Sequence, residues 1–77
     1  MTNYEPIGDW RIRINGNEHG VPDVHVLFKD GSRVSVAIKT RTVLTGNVTL
    51  AKRLMPALAD VEANAQKYLD EYRRLNP

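Results

Sequence analysis

Both histidines of the chain fall within one ten-residue run, Asn17-Glu18-His19-Gly20-Val21-Pro22-Asp23-Val24-His25-Val26, with Glu18 and Asp23 close by. Imidazole titrates near neutrality and binds metals readily, so acid–base or metal chemistry would sit here if the chain had any. The rest of the pattern argues against both. The spacing matches no zinc pattern, the chain holds no cysteine, and no nucleophile or oxyanion device accompanies the histidines. The run is therefore read as a contact segment with no metal and no cofactor, and the chain as a binder in preference to an enzyme.

Three strands and a helical segment are needed to position that run. Trp10, Ile12 and Ile14 alternate with Arg11 and Arg13, the mark of a half-buried strand. Residues 15–22, rich in Gly and Asn and closed by Pro22, form a loop that carries His19. A second strand over 23–28 places Val24, Val26 and Phe28 on one face and His25 on the other, and a third, over 32–39, does the same with Val34, Val36 and Ile38. All these apolar residues share one face only if the hairpin turns through three residues, Lys29-Asp30-Gly31, which sets Val26 opposite Val34 and Val24 opposite Val36. Such a loop requires a left-handed third residue, and Gly31 supplies it.

Residues 1–9 read as a loose lead-in, and 42–44 as a short fourth strand followed by a turn at Gly46-Asn47. From Leu50, apolar residues recur at spacings of three and four through Leu54, Leu58, Val61, Ala65, Tyr68, Tyr72 and Leu75, an amphipathic helical stripe capped by Thr49. Pro56 is expected to interrupt it, with the main helix starting there. The expected architecture is a single α+β domain over 1–77. A three- to four-stranded antiparallel sheet at 10–45 is covered on one face by helix at 49–75. The stripe is expected to cover the sheet, with a homodimer through the helix as the other use of it.

The sheet face turned away from the helix then carries Arg11, Arg13, Asp23, His25, Leu27, Arg33, Ser35, Ala37 and Lys39. Three arginines and a lysine against one aspartate make it locally basic, although the chain as a whole is only +2. The candidate binding residues are accordingly Arg11, Arg13, His19, His25, Arg33 and Lys39. A polar face on a half-buried sheet is also what water contact alone would select. The expected partner is another protein. Nucleic acid is a weaker alternative, because no aromatic side chain stands on this face to stack on bases. No apolar run approaches the roughly 20 residues of a membrane span. With no apolar leader and no cysteine, the expected setting is the cytoplasm.

The run from Asn17 to Val26 resembles the bacterial domain-of-unknown-function family 4160, in which His-Gly-x-Pro-His-x-His-Val stands at this place. His19, Pro22 and His25 match it directly, whereas Asp23 replaces the middle histidine, so a three-histidine site does not carry over. The later glycine turn, the strand at 34–38 and the aromatic end of the helix follow the same plan more loosely. The resemblance implies a small regulatory protein of the toxin–antitoxin kind. The alternatives are a nuclease-like or metal-dependent toxin using His19 and His25, and an inhibitor of a host or phage defence system.

Overall fold

The computed structural model describes residues 1–16, 20–46 and 51–77. His19, and with it the turn residue Asn47, the cap Thr49 and Leu50, lies outside the described residues. The fold is α+β: a five-stranded antiparallel sheet in simple meander order, followed by two helices. The strands are β1 (Thr2–Asn3), β2 (Trp10–Ile14), β3 (Asp23–Phe28), β4 (Arg33–Ala37) and β5 (Val43–Gly46); the helices are α1 (Ala51–Ala63) and α2 (Ala65–Leu75).

The central hairpin has the expected register. Val26 stands opposite Val34 and Val24 opposite Val36. The Phe28 amide donates to the Ser32 carbonyl at 2.9 Å and the Gly31 amide donates back to the Phe28 carbonyl at 3.0 Å. Gly31 has φ 92°, the left-handed conformation that the three-residue turn demands. The apolar face of the sheet, from Trp10, Ile12 and Ile14 through Val24, Val26 and Phe28 to Val34, Val36 and Ile38, forms one core with Leu54, Ala57, Val61, Tyr68, Leu69 and Tyr72 of the helices. The helical stripe is thus used to cover the sheet.

Four details differ from the sequence reading. The sheet has five strands because the N-terminal segment is not a loose lead-in: β1 pairs with β2, Thr2 opposite Ile14. This first strand is held from the far end of the chain. The Thr2 hydroxyl donates to Glu71, and the Tyr4 ring meets Tyr68 edge-on at 5.1 Å. β4 ends at Ala37, so Lys39 lies in the turn beyond the strand and not on its face. β5 begins at Val43, and a register shift at Ser35/Val36 makes Leu44 the extra residue of a bulge.

The helical break also falls elsewhere. Pro56 lies inside α1 and the discontinuity is at Asn64. Pro56 is exposed, in the second turn of the described helix, and forgoes a single bond to the Lys52 carbonyl. At Asn64 the side-chain amide donates to the Asp60 carbonyl at 3.0 Å and to the Asp60 carboxylate at 3.1 Å, so a side chain competes with the backbone ladder where the helix turns. Arg73 and Arg74 occupy the last turn of α2, at the negative end of its dipole.

Candidate functional site: the helix-free sheet face

The register that buries the valines sends a second set of side chains to the opposite face in two cross-strand rows. One row is Arg11, Leu27, Arg33; the other is Arg13, His25, Ser35, Thr45. Strands lie about 4.8 Å apart, so Arg13 and Arg33 stand on either side of β3, two spacings apart across the sheet and one row apart along it. A groove of about 370 Å³ opens over this region, lined by Arg13, Asn15, His25, Arg33, Ser35 and Thr45 together with Val34 and Gly46. Among the described residues no carboxylate lines it.

Depth varies across the face in a way that alternation does not reveal. Arg11 and Arg33 are exposed, Arg13, His25 and Leu27 half-buried, and Asp23, Ser35 and Ala37 buried. The expectation that Asp23, Ser35 and Ala37 are solvated is therefore corrected. Asp23 is only 6% exposed and accepts a hydrogen bond from the Ser35 hydroxyl across the β3–β4 pair. The His25 Nε2 lies 3.5 Å from the same carboxylate. A buried carboxylate needs such partners, because desolvating an unpaired charge is costly. The face's one acid is thereby engaged within the protein.

Of the four described arginines off this face, Arg41, Arg53 and Arg74 meet carboxylates, and Arg73, exposed in the last turn of α2, has none within ion-pair distance among the described residues. Arg53 meets Asp9 and Asp30, each at 2.6 Å, and lies 4.6 Å over the Phe28 ring; its clamp joins α1 to the hairpin turn and to the N-terminal loop. Arg53 and the Ser32 hydroxyl hold the Asp30 carboxyl well below the ordinary carboxylate range, and Arg53 does the same for Asp9. Arg74 pairs with Glu71 at 2.6 Å, and Arg41 lies 3.8 Å from Glu62. Among the described residues no carboxylate lies within ion-pair distance of Arg11, Arg13 or Arg33. Moreover, Arg13 Nε and Asn15 Oδ1 are buried and lack any hydrogen-bonding partner.

Of the six candidate residues, the face brings together Arg11, Arg13, His25 and Arg33; Lys39 lies in the turn after β4, and His19 is outside the described residues. Sequence reasoning missed Asn15 and Thr45 as groove residues and placed Ser35 on this face without counting it among the binding candidates. The signal for Asn15 was present, since it continues the Arg11, Arg13 alternation by one step. Thr45 depends on the β5 bulge, which no residue type announces. Among the described residues no group of three or more His, Asp or Glu side chains converges as a metal site would require, and no helix is long and apolar enough to cross a membrane. No protein-family model, curated protein or solved structure matches the chain.

Proposed function

We propose that this chain is a small binding and regulatory module whose helix-free sheet face receives an acidic macromolecular partner, in our reading a protein. The observation that carries the proposal is the placement of the arginines: Arg41, Arg53 and Arg74 meet carboxylates and Arg73 lies in the last turn of α2, whereas Arg11, Arg13 and Arg33 share one sheet face and have no carboxylate within ion-pair distance among the described residues. Guanidinium groups pair with carboxylates in a planar fork and are favoured at interfaces for that reason. Leu27, half-buried between Arg11 and Arg33, adds apolar contact. The proposal extends to a bacterial, cytoplasmic protein of family 4160 acting as one half of a toxin–antitoxin-like pair. That extension rests on the run from Asn17 to Val26 alone.

The test compares two variants of equal net charge. Arg11→Glu with Arg33→Glu reverses the face. Lys52→Glu with Arg73→Glu reverses two exposed helix cations instead. Both pairs should fold, because exposed substitutions usually change stability by within about 0.5 kcal/mol each. A partner co-purifying with the parent chain should be lost from the first variant and retained by the second. Equal loss from both would reduce the effect to net charge and sink the proposal.

A further inference from the structure

The two orphaned atoms in the groove define what would complete it. Among the described residues, Arg13 Nε is a buried donor without an acceptor, and Asn15 Oδ1 is a buried acceptor without a donor. A buried polar group left without a partner is destabilising, and a charged one more so. The two residues lie two positions apart on the same side of β2 and its extension, and both line the groove. The Ser35 hydroxyl donates its hydrogen bond to Asp23, so toward the groove it offers only lone pairs. Across the groove, Arg33 brings a second guanidinium and Thr45 a further hydroxyl.

A ligand suited to this set must present several anionic oxygens to two guanidiniums and also donate one proton. A carboxylate supplies the first and lacks the second. A phosphodiester has no proton to give, and among the described residues no Phe, Tyr or Trp lines the groove to stack on bases. A phosphate monoester meets both needs: its terminal oxygens match the guanidinium fork, and with a second pKa of about 6 it carries a P–OH in about half of its molecules at pH 6. We propose that the groove is a phosphate-monoester site, with the phosphoryl oxygens held between Arg13 and Arg33 and the P–OH donated to Asn15 Oδ1. The site rests on the acidic-partner reading above and narrows it to one chemical group.

Inorganic phosphate and sulfate, titrated at about pH 6 and followed by amide chemical shifts, provide the test. Phosphate should bind saturably and shift the Arg13, Ser35 and Thr45 amides. Sulfate, which carries no proton at that pH, should bind several-fold more weakly. Arg13→Gln should weaken phosphate binding by about tenfold or more, as expected for loss of a charged hydrogen bond. Asn15→Ala should abolish the preference for phosphate over sulfate. The anion comparison on the parent chain keeps the test valid should Arg13→Gln fold poorly. A phosphoserine peptide binding more tightly than inorganic phosphate would point to a modified protein as the source; equal affinity would point to a small phosphate metabolite. Equal affinity for sulfate, no saturable binding, or single-stranded DNA competing as well as phosphate would overturn the site. Failure here with the partner still lost on reversing Arg11 and Arg33 would reject the phosphate and leave the acidic-partner reading intact; a partner indifferent to that reversal would reject the broader reading instead.

Discussion

Gly46, the last residue of β5 and one wall of the groove, can be tested through a single methyl group. A Cβ built there would lie 2.3 Å from the Arg33 carbonyl oxygen and 3.1 Å from Val34 Cα, both backbone atoms that cannot swing aside. Alanine at Gly46 would therefore force β5 away from β4 by roughly 1 Å, since carbon and oxygen seldom approach closer than about 3.3 Å. Its φ of 82° adds the left-handed penalty of about 1–2 kcal/mol. β5 is exposed along its whole length, so its detachment forfeits little apolar burial. The loss is mainly ladder hydrogen bonds at about 0.5–1.5 kcal/mol each. The sum is about 2–4 kcal/mol. Gly31→Ala provides the control, because Gly31 has φ 92° with open space around its Cβ position and so incurs the backbone penalty alone. At about 4–8 °C per kcal/mol for a domain of this size, Gly46→Ala should melt at least 5 °C below Gly31→Ala, and hydrogen exchange should accelerate in β5 first. If the two variants melt together, β5 does not approach β4 as closely as the register implies.

Two further outcomes follow from the ionised groups. Ser35→Ala removes the hydroxyl that satisfies Asp23 and should destabilise the chain by about 1–3 kcal/mol, whereas Ser35→Ala combined with Asp23→Asn should cost less than the two changes summed; strict additivity in denaturant melts would show that the pair does not interact. The Glu71 carboxyl, bonded by Arg74 and by the Thr2 hydroxyl, is held down at about 2 in the folded chain, against an ordinary value of 4.5. Asp9 and Asp30 are lowered in the same direction by Arg53. A carboxyl depressed by folding contributes stability that is fully present above its ordinary value and is lost as pH falls through the folded one. The melting temperature should therefore decline between about pH 4.5 and 2, and Glu71→Gln should flatten part of that decline; parallel pH profiles for parent and variant would contradict the Glu71 contacts.

The central hairpin was legible because period-two apolar spacing and a glycine turn admit one register that keeps every valine on one side. What alternation encodes is side, not depth. Ser35 and Ala37 were assigned to the correct face of the sheet, yet both are buried, as small side chains between neighbouring strands and longer residues can be. The first strand was not legible at all. Thr2 and Asn3 carry no apolar signal, and the contact that fixes them, Thr2 with Glu71, spans 69 residues of sequence. The Arg53 clamp is likewise long-range: an arginine on an amphipathic helix looks solvated until folding brings Asp9 and Asp30 beneath it. Pro56 misled because a proline in a helical pattern usually marks a start or a break, whereas here its missing bond falls on an exposed turn and Asn64 supplies the discontinuity.

These long-range clamps also shape the candidate site. In a thin-cored domain, five of the described carboxylates are used to fasten one part of the chain to another: Asp9 and Asp30 hold α1 through Arg53, Glu71 holds β1 through Thr2, Asp60 receives the Tyr68 hydroxyl, and Asp23 joins β3 to β4 through Ser35. Acids committed to the scaffold are not available to the helix-free face. A chain with a formal charge of only +2 can thus present on one face three arginines with no carboxylate in ion-pair distance among the described residues. The cationic character of the groove comes from where the acids are anchored more than from an excess of bases. Arg13 is the sharpest consequence, since its buried Nε has no acceptor among the described residues. An anion entering the groove would supply one, and the energy recovered on binding is the physical basis for expecting specificity at this point of an otherwise open sheet face.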